Sequence, residues 1–319
     1  MTEIAEINRS FTVSGTAYLN LRNVDGAIDI TAGDADVVSV RAFKHPGPGA
    51  NQTEIEISQG LDGRVTVATH YLDDMIARLF HPRHHGPARV DYTIRLPKAC
   101  ELDVAFVSGP ARLHGLEGKF DLRAISGPID LEELAGQLKV NTVSGPLTGA
   151  HIRLDSALLL DIVSGDATFA DSVIPAISAN SVSAQVRLQT ELGAGPYQFK
   201  SVSGDVWLAV PTGSHCLVDM HSLSGRLRAS PPASRHNLHG GRTRVEFGAS
   251  DGGPEIRFYS VSGDLHLVTP EAEPAASAQT SAGDAPPPVP STSVDRLAIL
   301  DRIARGELTV DQAVSNLKD

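Results

Sequence analysis

A branched aliphatic residue, a serine and a small residue recur together eight times in this chain. Their spacing constrains the fold more than any other feature. The copies are Val107-Ser108-Gly109, Ile125-Ser126-Gly127, Val143-Ser144-Gly145, Val163-Ser164-Gly165, Val182-Ser183-Ala184, Val202-Ser203-Gly204, Leu223-Ser224-Gly225 and Val261-Ser262-Gly263. Successive serines lie 18, 18, 20, 19, 20, 21 and 38 residues apart. The last step is two periods long and predicts one degenerate turn around Val245 to Gly248.

Four residues before each serine stands an apolar residue: Val104, Leu122, Val140, Leu160, Ala179, Phe199, Met220 and Phe258. Three and five residues after it the chain is again mostly apolar, as at Val206 and Leu208 or Leu265 and Leu267. Four after it the residue is mostly polar, as at Arg112, Asp130, Thr148 and Thr168. Apolar-polar-apolar is the period of a half-buried strand. Each repeat therefore reads as a strand, a Ser-Gly corner and a second strand. The columns four and one before the serine cannot share a face on a regular strand. Either a bulge precedes the serine or one of these columns points outward; the bulge is expected.

About twenty residues cannot bury an apolar face alone, whereas stacked copies form one continuous core. A period of 18 to 21 residues fits one turn of a β-solenoid. The LxxLxL pattern of leucine-rich repeats is missing, propeller blades need about twice this length, and no six-residue sub-period is visible. The predicted fold class is all-β, a β-solenoid over residues 8–269. Hydrophobic residues are 41% and aromatics 5% of the chain, which suits a core of small aliphatics in regular layers. Glycine adopts backbone angles denied to β-branched neighbours, and serine hydroxyls bond nearby backbone where a ladder is interrupted. The Ser-Gly pairs at 108–109, 126–127, 144–145, 164–165, 203–204, 224–225 and 262–263 are thus expected as structural corners, their serines forming a ladder along one edge. Pro110, Pro128 and Pro146, then Asp166, Asp205 and Asp264, follow the glycine and suit a corner.

The repeated V-S-G-P and V-S-G-D strands resemble those of the bacterial "putative adhesin" family of β-strand-repeat proteins, a family without assigned function. FTVSGTAYLNLRNVDGAIDITAGD, from Phe11 to Asp34, is similar to its opening strands, and VDYTIRLPKACELDVAFVSG, from Val90 to Gly109, to its lead-in to the repeats. The resemblance runs from about Ser10 to Thr269. It implies a right-handed, single-stranded β-helix-like fold and brings no catalytic residues.

Two segments do not repeat. Within an insert at 71–87, Leu72, Met75, Ile76, Leu79 and Phe80 fall on one face of a predicted helix. Asp73 and Asp74 near its start and Arg78 near its end suit the helix dipole, and Pro82 stops it. A capping helix and a partner-binding helix both fit; membrane contact is disfavoured by its shortness and single basic residue. His81, His84 and His85 follow and are weak candidates for a metal site, since their spacing matches no structural zinc site. His236 and His239 read as a solvated loop. Residues 270–292 are rich in Pro, Ala, Ser and acid and read as a flexible linker. Residues 293–319 predict a helical hairpin. Ser293 caps the first helix, Leu297, Leu300 and Ile303 form its stripe, and Gly306 stops it. Thr309 to Gln312 is a capping box opening a second helix that carries Val314 and Leu317. The hairpin resembles small helix-G-x-[ILV]-[ST]-x-x-[EQ]-A-helix modules related to short oligomerisation domains. It is too small to stand alone and is expected to self-associate, dock on the solenoid or bind another protein.

A net charge of -11 opposes binding to nucleic acid. The N-terminal residues show no secretory-signal pattern and no run is long enough to span a membrane, so a cytoplasmic location is expected. Cys100 and Cys216 form no CxxC and read as small buried hydrophobes. No HExxH, Walker loop or calcium nonapeptide is present. The expected function is a non-enzymatic scaffold or protein-interaction protein without a cofactor; the resemblance links this architecture to bacterial cell-envelope stress responses. One alternative is a carbohydrate-binding or polysaccharide-processing β-helix. The column three before the serine (Ala105, Arg123, Asn141, Asp161, Asn180, Lys200, His221, Tyr259) would then offer Arg123, Asn141 and Asp161 on adjacent turns. The other alternative is a surface adhesin, which requires export.

Overall fold

The computed structural model describes residues 5–47, 49–71, 87–210, 215–230, 233–239, 242–248 and 253–269. At the N-terminal end lie β1 (Ala5–Thr12), β2 (Ala17–Asp25), β3 (Ile28–Ala32), β4 (Val37–Lys44), β5 (Thr53–Gln59), β6 (Val65–Tyr71) and β7 (Val90–Leu96). The body is β8 (Ala99–Ser108), β9 (Ala111–His114), β10 (Glu117–Ala124), β11 (Ile129–Glu132), β12 (Ala135–Thr142), β13 (Leu147–Ala150), β14 (Arg153–Leu154), β15 (Leu158–Ile162), β16 (Ala167–Ile174), β17 (Ile177–Ser181), β18 (Val186–Leu192), β19 (Tyr197–Ser201) and β20 (Val206–Ala209). The C-terminal end holds β21 (Cys216–Ser222), β22 (Leu227–Ala229), β23 (Ala233–His239), β24 (Arg242–Phe247), β25 (Glu255–Ser260) and β26 (Leu265–Val268).

The strand before each Ser-Gly corner stacks on its counterpart in the next turn, in parallel and in register; Leu122 pairs with Val140, for example. Strands after the corner stack likewise into a second face, with Ile129 opposite Leu147. The two faces enclose one core from Val13 to Leu267. The short β14 pairs with both β12 and β16 and joins the faces.

Inward residues lie two, four and six before the serine. Leu102, Phe120, Leu138, Leu158, Ile177, Tyr197, Val218 and Ile256 form the column at six, all buried. The residue just before the serine points the other way: Val107 and Ile125 are each 41% exposed and Leu223 is 86% exposed, while Val163 is buried but lies outside the core cluster. The bulge expected before the serine is therefore not what reconciles the two aliphatic columns. The ladder runs on unbroken, as Val143 N donates to Ala124 O and Ser144 N to Ile125 O. Aliphatics stacked one strand spacing apart shield one another on the outside, so an aliphatic column need not face the core.

At both ends the stacking order departs from chain order. β2 sits between β6 and β8, and β3 between β7 and β9. At the other end β25 is inserted between β19 and β21, and β26 between β20 and β22. The 38-residue step thus contains no degenerate turn. The segment expected to hold one, Val245 to Gly248, belongs largely to β24, which runs antiparallel to β21 and pairs onward with β23. Antiparallel strands also overlay the N-terminal end: β5 on β6, and β4 with β1 on β7.

β6 and β7 stack where other turns have the strands before and after a Ser-Gly corner. Buried polar bonds hold this turn. Thr69 Oγ1 donates to Asn23 Oδ1 at 3.0 Å and meets Tyr92 Oη at 2.7 Å. Asn23 Nδ2 donates to Val90 O at 3.0 Å. Burial pushes the Tyr92 phenol up to about 12, so this network stays neutral.

Candidate interaction surfaces

The serine ladder is present. Ser126, Ser144 and Ser164 Oγ donate to the carbonyls of Val107, Ile125 and Val143, at 3.3, 3.3 and 3.1 Å. Each of these carbonyls also accepts the serine's own N–H, at 2.8 to 2.9 Å. The hydroxyls point along the edge and are occupied by backbone, as corners require. A second serine ladder lies inside. The column two before the corner changes from Phe106, Ala124, Thr142 and Ile162 to Ser181, Ser201, Ser260 and Ser222 along the stack. Ser181 donates to Ser201 at 3.0 Å and Ser260 to Ser222 at 2.8 Å. Ser201 and Ser222 in turn accept the N–H of Gly204 and Gly225. Sequence columns do hold this signal, since serine three before glycine recurs at 201, 222 and 260, but an apolar template passes over it.

On the first face, Arg123, Asn141, Asp161, Asn180, Lys200, Tyr259 and His221 stand in one register row. Arg123, Asn141 and Asp161 are thus direct neighbours on adjacent turns. Arg123 bonds Asp103, which Arg22 also grips through two bonds of 3.0 and 2.8 Å. Arg22 first, with Arg123, holds the Asp103 carboxyl below its ordinary range. Asp161 accepts from Asn180 at 2.8 Å. Farther along, Arg242 clamps the buried Asp219 and depresses its pKa, while His221 stacks on Tyr259 at 5.2 Å.

The second face carries an aromatic row. Trp207 and His266 stack in parallel at 3.7 Å, with the Arg187 guanidinium 5.8 Å from the Trp207 ring centre. Arg228 follows in register beside His266 and pairs with Asp264 at 3.4 Å. His266 is buried, and Trp207 Nε1 is buried without a hydrogen-bond partner among the described residues. Both faces of the indole are thus occupied by protein groups.

A groove of about 630 Å³ crosses the starts of β8, β10, β12 and β14. Glu101, Glu117, Lys119, Gln137, Arg153 and Asp155 line it with both signs of charge. Burial pushes the thiol of Cys100, beneath it, up to about 12, and that of Cys216 up to about 11. Neither is a thiolate nucleophile near neutral pH.

The expected partner-binding residues Leu72, Met75, Ile76, Leu79 and Phe80, and Leu297, Leu300, Ile303, Val314 and Leu317, lie outside the described residues, as do His81, His84 and His85. So does the predicted C-terminal hairpin. His236 and His239 fall in β23 rather than in the expected loop. Among the described residues no three His, Cys, Asp or Glu gather as a metal site, and no helix is long and apolar enough to cross a membrane.

No curated protein sequence matches this chain. Among solved structures it is similar to one described as a "putative adhesin" from Bacteroides fragilis, with 8% identity over 84% of this chain and 99% of that one and a TM-score of 0.39. A "putative lipid binding protein" from Parabacteroides distasonis matches with 12% identity over 83% and 97%, at a TM-score of 0.35. A "putative cell adhesion protein" from Clostridium sporogenes matches with 9% identity over 84% and 100%, at 0.26. The sequence model of one family matches residues 17–267, from β2 to β26 and so across the whole stack: the chain belongs to the Toastrack DUF4097 family.

Proposed function

We propose that this protein is a non-enzymatic interaction scaffold. The stacked β body supplies a rigid platform, and residues 72–86 and 293–319 supply the partner contacts. One observation carries the reading. On both faces outward polar side chains pair with neighbours in adjacent turns, as in Arg22–Asp103–Arg123 and Asn180–Asp161 on the first and Thr148–Asp130 on the second. Groups paired in this way make a solvated, ordered surface and contribute little stability as ion pairs. The apolar stripes Leu72 to Phe80 and Leu297 to Leu317 fall instead outside the repeat. The cell-envelope stress response suggested by the family resemblance, and a cytoplasmic location, belong to the same proposal.

The test is a pull-down with the full chain and with a form lacking Ser293 to Asp319. Among the described residues the core ends at Leu267, and the truncation begins 26 residues beyond it. Loss of specific partners from the shorter form is expected. An unchanged partner list would remove the role given to the tail. Fractionation into cytosol, membrane and surface tests the location; recovery at the cell surface would favour an adhesin.

A further inference from the structure

The coil ends in four terminal strands, and three of them are overlaid by an antiparallel neighbour: β6 by β5, β7 by β4, and β21 by β24. The fourth, β22, pairs with β26 and has no second neighbour among the described residues. Its turn is also the most open apolar one. Leu223 is 86% exposed, Leu227 is only partly buried against the core, and Arg226 and Arg228 are exposed. A strand with one open edge among the described residues, beside an exposed leucine, is a surface that natural proteins cover or blunt.

We infer that the chain's own C-terminal segment, residues 293–319, folds back and covers this terminal turn. Three observations select that occupant. First, the chain leaves the body through β26, whose Leu267 is directly opposite Ala229 of β22, one strand spacing or about 4.8 Å away. The 23 residues from 270 to 292 span roughly 24–29 Å as a flexible coil, enough to reach either leucine. Second, charge matches. Residues 270–292 contain Glu271, Glu273 and Asp284 and neither lysine nor arginine, opposite in sign to the exposed Arg226 of this turn. Third, the segment that follows carries the apolar stripe Leu297, Leu300 and Ile303, which matches the exposed Leu223 and the partly buried Leu227 in chemistry. A second copy pairing edge to edge fits less well. Antiparallel β22 strands would set Arg226 and Arg228 of each copy near those of the other, along an edge of only three residues.

Docking within one chain proceeds at the effective concentration set by the tether, in the millimolar range for short flexible links. A modest contact therefore suffices. The consequence is regulatory: a partner that captures residues 293–319 also uncovers β22, so tail capture and exposure of the sheet edge are coupled. This inference rests on the reading of residues 293–319 as a contact element.

Photo-crosslinking separates the two. A benzophenone amino acid replaces Leu223 in the full chain, a site exposed enough to leave the core undisturbed. Irradiation followed by peptide mass spectrometry should give crosslinks within one chain to residues 293–319, independent of protein concentration. Leu300→Asp in the same protein should reduce them to background. Crosslinks to a second copy, crosslinks only elsewhere, or none while the tail is intact by mass would each overturn the docking. A tail that captures partners in the pull-down but does not crosslink to position 223 would sink the docking and leave the scaffold reading standing.

Discussion

A Cβ placed on Gly145 would lie 2.3 Å from the carbonyl oxygen of Gly127, one turn below it. Gly145 also has a left-handed φ of 114°, which side-chain-bearing residues seldom adopt. Two independent effects therefore act against any larger residue here. Gly145→Ala should destabilise by roughly 3–5 kcal/mol, combining backbone strain with an overpacked contact. Urea unfolding followed by circular dichroism checks it. A loss below about 1 kcal/mol, the range of ordinary surface changes, would show that the corner can open without cost.

Serines of the outer and inner ladders should behave differently despite identical chemistry. Ser144 Oγ shares its acceptor with its own N–H, so Ser144→Ala should cost about 0.5–1 kcal/mol and leave partner binding intact. Ser201 is buried and accepts the Gly204 N–H at 2.7 Å. Its replacement by alanine strands that buried donor and should cost about 1–3 kcal/mol. Equal losses in the two variants would contradict the assignment. A well-folded Ser144→Ala that loses a partner would overturn its reading as a corner.

Gly149 and Phe169 are register partners on β13 and β16. A Cβ at Gly149 would fall 2.4 Å from Phe169 Cδ1. The missing side chain on one turn is thus the space that the ring of the next turn fills. Gly149→Ala should destabilise by about 1–3 kcal/mol through overpacking. Combined with Phe169→Leu, it should cost less than the sum of the single changes, with a coupling of about 0.5–3 kcal/mol. Strict additivity in a double-mutant cycle would refute the pairing.

His266 supplies a pH-dependent signal. Burial, the largest cause, holds its pKa below the ordinary 6.5. Asp205 opposes that shift and Arg228 adds to it. The folded state thus favours neutral imidazole. As pH falls below 6.5 the unfolded chain takes up this proton first, so stability declines until folded His266 itself is protonated. Trp207 is the one tryptophan in the chain and stacks on this ring. Its fluorescence should therefore change with a midpoint below 6.5. His266→Phe keeps a stacked ring and should abolish the change; survival of the transition would assign it to another group.

The sequence columns reveal the turn length, the corners, the outer serine ladder and most inward aliphatics. They do so because parallel in-register stacking places chemically similar residues above one another, so repetition along the chain reproduces repetition in space. Val107 and Ile125 mislead for the same reason: an outward column also stacks and becomes aliphatic by mutual shielding. Stacking order is invisible to a period. Nothing in Val261-Ser262-Gly263 distinguishes a turn added at the end from one inserted between Val202-Ser203-Gly204 and Leu223-Ser224-Gly225. That difference depends on the path of β23 and β24, whose sequence does not repeat. The candidate surfaces were less legible, because Trp207 and His266 come together only when β26 lies beside β20.

Chain order equals spatial order from β8 to β20 and fails at both ends. A tandem copy or loss of one turn in this interval changes the length of the coil by one strand spacing, about 4.8 Å, and leaves each new interface chemically like the old ones. The same event near either end would break an insertion that two distant segments must complete together. In this chain the reach can therefore change through the middle alone without repacking either insertion.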